Sequence, residues 1–134
     1  MEKRIIKFRG KDIKGNWHYG LLTNDKNPNF KSDYEWFISN SKGKPYAYGV
    51  IESTIGQYTG LKDKNGVEIY EGDVMAIKDR MENATLNCKI QFESGSFNAI
   101  PLEDGDLAYI MFYASQNGEI IGNIHVEVQQ WKDM

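Results

Sequence analysis

The sequence predicts a mostly β protein with minor α content, and three observations carry that reading. Glycine is frequent, 13 residues against 3 prolines, and recurs where an extended chain has to turn. Apolar and polar residues alternate in short runs such as Cys88-Lys89-Ile90-Gln91-Phe92, the period of a half-buried strand. Asn65-Gly66 sits between two such runs and signals a hairpin turn. The expected architecture is a small curled sheet or barrel over residues 54–124, preceded by an N-terminal hairpin lobe over 1–50, within a single domain of 134 residues.

Each element follows from local pattern. Arg4-Ile5-Ile6-Lys7-Phe8-Arg9 reads as the first strand, its pleat separating Arg4, Ile6 and Phe8 from Ile5, Lys7 and Arg9. A turn over 11–16 leads to a second strand, Trp17–Leu22, in which Trp17, Tyr19 and Leu21 share one face. Residues 23–33 are polar and rich in Asn, a loop. Tyr34–Ile38 is a strand, 39–45 a loop, and 46–51 a further extended stretch with Gly49 as a bulge. Thr54–Leu61 and Val67–Tyr70 flank Asn65-Gly66, where a type I′ turn with positive φ at both residues is expected.

Val74–Ile77 is continuously apolar and reads as a buried strand, followed by a polar link over 79–87. Cys88–Phe92 and Phe97–Ile100 form a hairpin around Glu93-Ser94-Gly95-Ser96. The run ending at Ala114 fits either a core strand or a helix capped by Asp106, and its low β-branched content favours the helix. A turn over 115–118 precedes the strand Glu119–Ile124, and 126–131 alternates as an edge strand would. No internal repeat stands out.

Composition removes several classes. At 40% hydrophobic, 13% aromatic and net charge −3, the chain is unlike a disordered segment. Its longest apolar run, Ala108–Ala114, is far short of the roughly 20 residues a membrane helix needs. Charges interrupt Met1 to Gly15, so no secretory leader is expected, and a cytoplasmic location follows. Cys88 is the single cysteine, which excludes an intramolecular disulfide and a Cys-based zinc cage. His18 and His125 have no metal-site spacing, and no cofactor or metal is expected. The small net charge hides an asymmetry. Residues 1–14 hold Lys3, Arg4, Lys7, Arg9, Lys11 and Lys14 against Glu2 and Asp12, a balance of +4, so the remaining residues carry −7.

Three segments together resemble the YopX family of phage and prophage proteins. They are Ile6-Lys7-Phe8-Arg9-Gly10 with Gly15-Asn16-Trp17-His18-Tyr19-Gly20, then Thr54 through Asp63 continuing over Asn65-Gly66 and Ile69-Tyr70-Glu71-Gly72-Asp73-Val74, and finally Ile121-Gly122-Asn123-Ile124. Their order spans nearly the whole chain. The resemblance implies a mostly β fold encoded by phages of low-GC Gram-positive hosts, acting in the cytoplasm of the infected or lysogenic bacterium. It implies no activity and transfers no catalytic residue. One departure is visible: family members continue after the last segment with an aromatic and an acidic, proline-containing ending, where this chain has His125-Val126-Glu127-Val128-Gln129-Gln130-Trp131.

Residues able to carry chemistry are few. Glu71-Gly72-Asp73, with Glu35 or Glu52 brought near, would suit acid–base work or magnesium. The simpler reading is a turn whose Asp accepts backbone N–H bonds and whose Gly supplies an unusual φ. Lys62-Asp63-Lys64-Asn65-Gly66 fails as a calcium loop because its glycine comes too early. Trp17, Tyr19, Trp36 and Tyr34 beside the basic first strand suggest an aromatic platform for single-stranded nucleic acid, although aromatics at period two are more often core. His18 points away from Trp17 and Tyr19 and reads as inert, and Cys88 reads as a small buried hydrophobe. No nucleophile elbow and no phosphate-binding glycine loop is present, so no enzymatic constellation forms.

The expected function is therefore a non-enzymatic accessory module that binds a protein partner, a second copy of itself included. The alternative is a single-stranded nucleic-acid-binding module using Lys3, Lys7, Arg9, Trp17 and Tyr19. No membrane partner is expected.

Overall fold

The computed structural model describes residues 3–25, 34–39, 47–103 and 107–125. The chain divides into two compact units, Met1–Tyr58 and Thr59–Met134.

The first unit is built on β1 (Phe8–Lys11), β2 (Trp17–Asn24), β3 (Trp36–Ser39), β4 (Ala47–Val50), a 3₁₀ turn at Glu52–Thr54 and the start of β5 (Gly56–Lys62). Neighbouring strands are antiparallel in the order β4-β3-β2-β1-β5. The first strand begins later than the pattern suggests, at Phe8 rather than Arg4. Pairing explains this: Phe8 lies opposite Gly20, and beyond Gly20 strand β2 turns its hydrogen bonds to β3, starting at Leu21 opposite Ser39. The ladder with β2 begins at Phe8, and Lys7 O is taken instead by Tyr58 N–H of β5 at 2.9 Å.

This sheet curls. Ile51 N–H, just past β4, donates to Lys11 O of β1 at 2.9 Å, and Thr54 Oγ1 accepts from Lys11 N–H at 2.8 Å while donating to Ile51 O at 2.6 Å. The inner face of the curl holds Ile38 and Val50, both buried. Gly10 belongs there because a Cβ would stand 2.8 Å from Val50 Cβ. Gly49 is no bulge, since the β3–β4 register runs unbroken from Trp36 opposite Val50 to Ser39 opposite Ala47. It is glycine because the Tyr34 ring occupies the place of its side chain.

The second unit contains the rest of β5, its neighbour β6 (Glu68–Tyr70), and a five-stranded antiparallel sheet. That sheet has the order β10-β9-β8-β7-β11, with β7 Asp73–Asp79, β8 Ala84–Glu93, β9 Ser96–Pro101, β10 Tyr109–Ile110 and β11 Gly118–Asn123. It does not close into a barrel, so the curled sheet, of the two expected forms, is the one present. The core is Ile69, Met75, Ile77, Cys88, Ile90 and Ala99, covered by helix α1 (Met111–Asn117) through Met111 and Ala114. The buried stripe Met111, Ala114, Ser115 has helical spacing.

Four local expectations change. The polar stretch 79–87 is not a link, because Ala84–Asn87 already pair with β7 from Asp79 to Ala76. The ambiguous run before Ala114 is both things in turn, strand at Tyr109–Ile110 and helix from Met111. Its proposed cap Asp106 lies outside the described residues, as do 126–131 and most of the loops 23–33 and 39–45. The turn expected at 115–118 is absent: helix passes straight into β11 at Gly118, where a Cβ would stand 2.8 Å from Ala114 O. The type I′ turn is found at Ser94-Gly95, both with positive φ, rather than at Asn65-Gly66, where only Gly66 has it.

Candidate functional site

Two turns share one design. In Asp12-Ile13-Lys14-Gly15-Asn16, Gly15 N–H donates to Asp12 O at 3.0 Å and Asp12 N–H to Asn16 O at 2.9 Å. In Asp63-Lys64-Asn65-Gly66-Val67 the same bonds run from Gly66 to Asp63 at 3.0 Å and from Asp63 to Val67 at 2.8 Å. Each Asp Oδ1 accepts the N–H groups two and four residues on, all at 2.9 Å. Each glycine has φ above +80°, Gly15 at 88° and Gly66 at 83°. The signal in the sequence is Lys-Asp-x-x-Gly, present at Lys11–Gly15 and Lys62–Gly66, a short repeat overlooked when only long periods are sought.

The second carboxylate oxygen distinguishes them. Asp63 Oδ2 accepts Ile120 N–H of β11 at 3.0 Å. Asp12 Oδ2 accepts from His18 Nε2 at 2.8 Å, and the His18 ring stacks on Tyr48 with centroids 4.2 Å apart. His18 is thus engaged, not inert. The Asp12 carboxyl is held down at about 2, first by the His18 hydrogen bond and then by the Asn16 and Lys14 N–H groups. Folding lowers this pKa, so the folded state binds fewer protons than the unfolded state as acid is added. The resulting stabilisation is complete above about pH 4 and disappears as the pH falls through about 2. The thermal midpoint should drop across that window, and Asp12→Asn should flatten the drop. An equally steep acid limb in Asp12→Asn would remove Asp12 as its cause.

On the outer face of the first unit, the register places Arg9 opposite Tyr19 and Lys11 opposite Trp17. The Arg9 guanidinium stands 4.7 Å from the Trp17 ring centre, Lys11 Nζ 5.8 Å from it, and Lys7 Nζ 5.2 Å from that of Tyr58. Lys7, Arg9, Trp17 and Tyr19 therefore come together, whereas Lys3 lies ahead of β1 in an exposed segment. Tyr19 is 49% exposed and Leu21 52%, so this face is not the core. Arg9 is buried, at 6%.

The four-aromatic platform does not form. Phe37 pairs with Thr23 and shares the Trp17 face, so Trp36 next to it faces the opposite way. Trp36 and Tyr34 instead line an open, mainly apolar groove of about 490 Å³ with Ile13, Val50 and Ile51. Glu35 and Glu52 also line it, and both are exposed. Tyr34 is fixed by Gly49 beneath its ring and by Ile13 N–H, which donates to its hydroxyl at 3.1 Å. Alternation along one strand does not reveal this groove, because its lining comes from a turn, the start of β3 and the end of β4.

Residues 7–128 match the family model described as YopX protein. The chain belongs to the YopX family. No curated protein matches it. Among solved structures, the crystal structure of protein EF1440 from Enterococcus faecalis is similar, with 24% identity, a TM-score of 0.49, and coverage of 92% of this chain and 95% of that one.

Of the acidic candidates in this YopX chain, Asp73 has a structural role. Asp73 is buried and its Oδ2 accepts Tyr70 N–H at 2.7 Å, while Gly72 has φ 94°, as the turn reading requires. Glu35 and Glu52 belong to the first unit, Glu71 and Asp73 to the second. Among the described residues no group of three or more His, Cys, Asp and Glu is placed to hold a metal ion. Cys88 is fully buried in the core of the second unit. Among the described residues no helix is long and apolar enough to cross a membrane.

Proposed function

We propose that this YopX protein is a non-enzymatic binding module that self-associates, the groove at Ile13, Trp36 and Ile51 receiving the N-terminal segment of a second copy. The observation that carries this is complementarity between the two. Ile5 and Ile6 are 60% and 55% exposed, sit outside any strand and follow Lys3 and Arg4. The groove offers apolar walls for the isoleucines and Glu35 and Glu52 for the cations. None of residues 3–7 lines the groove of its own chain. Membership of the YopX family supports reading it as an accessory protein of a phage, acting in the bacterial cytoplasm, with a phage or host protein carrying a similar basic-apolar segment as the other class of partner.

Sedimentation velocity over a concentration series tests the reading. Wild type should shift from monomer to a larger species, and Ile51→Glu or the pair Ile5→Asp and Ile6→Asp should each weaken association by about tenfold or more. Monomer throughout the series for wild type would end the proposal.

A second reading has one observation of its own, the half-exposed Tyr19 on the face of Lys7 and Lys11. A single strand would stack there with its phosphates drawn to the lysines. Trp17 weakens this reading, since Arg9 and Lys11 already cover its ring. The oligonucleotide titration below decides it: no change at Tyr19 ends it.

A further inference from the structure

The second unit is acidic, with thirteen Asp and Glu against six Lys and Arg. Three of those six cations, Lys64, Lys78 and Arg80, nevertheless line a single groove of about 430 Å³. Asn83, Gln116 and Asn117 also line it, and among the described residues no carboxylate contributes. Among the described residues none of the three cations is engaged in an ion pair. Gathering like charges without a counter-charge costs electrostatic energy, and in so acidic a unit counter-charges are plentiful.

The backbone holds the cluster open. Lys78 lies near the end of β7 and Arg80 in the turn that follows it, both exposed and both lining the groove. Asp79, between them, is drawn elsewhere: Tyr109 hydroxyl donates to its Oδ2 at 2.8 Å, and Met81 and Glu82 N–H donate to its Oδ1 at 2.9 and 3.1 Å. The Tyr113 hydroxyl sets the spacing of the cations, donating to Lys78 O at 3.0 Å and accepting Arg80 N–H at 3.1 Å. Asn117 Nδ2 donates to Tyr113 O at 3.0 Å, and Lys64 N–H donates to Gly118 O at 3.1 Å, which brings Lys64 to the end of α1.

We infer that this groove is an anion site for a phosphate-bearing ligand of about nucleotide size. Arg80 supplies a planar fork for two phosphoryl oxygens, Lys64 and Lys78 supply point charges, and the amides of Asn83 and Gln116 serve the polar remainder. The volume lies within the roughly 300–1,000 Å³ usual for small-molecule sites. The site is independent of the self-association groove, and the phosphoryl group comes either from a free nucleotide or polyphosphate or from a nucleic-acid strand.

The test is an amide-resolved NMR titration of the full chain at low salt with inorganic tripolyphosphate, with ATP, and with a single-stranded thymidine oligonucleotide. Tripolyphosphate should shift the amides of Lys64, Lys78, Arg80 and Asn83, with a dissociation constant of about 1 mM or below. Lys78→Ala combined with Arg80→Ala should weaken it by about tenfold or more. Tyr113→Phe, which keeps the ring and loses both backbone bonds, should weaken it less with the rest of the spectrum unchanged. Tighter binding of ATP than of the oligonucleotide supports the site with a free nucleotide as its source, and the reverse order supports it with a strand as its source. Absence of shifts with all three probes, shifts confined to Lys7, Lys11 and Tyr19, or unchanged affinity in the double variant would overturn it.

Discussion

Asp63→Ala should destabilise the full chain by about 3 kcal/mol in urea denaturation followed by circular dichroism. The side chain is 6% exposed and accepts three backbone N–H groups, from Asn65, Val67 and Ile120. Alanine removes both carboxylate oxygens and with them all three bonds. The Asn65 N–H lies in an exposed turn and finds water, but Ile120 N–H lies within β11 and is left with a cost of about 1–3 kcal/mol by itself. Asp63→Asn separates the parts. Its remaining oxygen keeps the turn bonds to Asn65 and Val67, while its NH₂ meets the Ile120 N–H as donor against donor. A loss below about 1 kcal/mol for Asp63→Ala would show that water substitutes for the carboxylate at all three positions.

Ile77→Ala should cost about 4 kcal/mol by the same measurement. Ile77 is fully buried and sits among Met75, Cys88 and Ile90. Its cross-strand neighbours are Gly118 on β11 and the partly buried Leu86 on β8, and on the β11 side there is no side chain to move into the hole. A Cβ on Gly118 would stand 2.9 Å from Ile77 Cγ1, so Gly118→Ala clashes in wild type but enters the space freed by Ile77→Ala. The double variant should recover only part of the loss, since Ala114 O, 2.8 Å from the same Cβ, is backbone and stays. A cost near about 1 kcal/mol for Ile77→Ala would mean that the core closes over the hole.

Strand content was legible wherever alternation or a turn residue marked it, as at Cys88–Phe92 and Ser94-Gly95. It was misread where pairing rather than pattern decides. Arg4–Lys7 looks like strand, but its ladder with β2 starts only at Phe8, with Lys7 O taken by Tyr58 N–H of β5; 79–87 looks like linker, but Ala84–Asn87 pair with β7. Pleat arithmetic also grouped Trp17, Tyr19 and Leu21 correctly, yet not which face was buried, because the curl of the sheet selects the face of Ile38 and Val50. Gly49 illustrates the limit most clearly. A bulge and a seat for an aromatic ring both call for glycine, and only the position of Tyr34 tells them apart.

Both candidate grooves were beyond single-strand reasoning for the same cause. Ile13, Trp36 and Ile51 are far apart in the sequence, as are Lys64, Lys78 and Gln116, and nothing local marks them as neighbours. The charge split at residue 14 pointed to the N-terminal cations, half of which turn out to lie against aromatic rings. The three groove cations of the acidic unit were masked by the acids around them in the sequence.

The boundary between the units, at Tyr58 and Thr59, falls inside strand β5 rather than in a linker. Cutting the gene there would leave each fragment with a frayed stub, Gly56–Tyr58 on one and Thr59–Lys62 on the other. The two halves are thus poor reagents for dissecting function, and a fragment that aggregates reports on its broken strand before it reports on any groove. Point variants in the intact polypeptide are the sound way to assign an effect to either half.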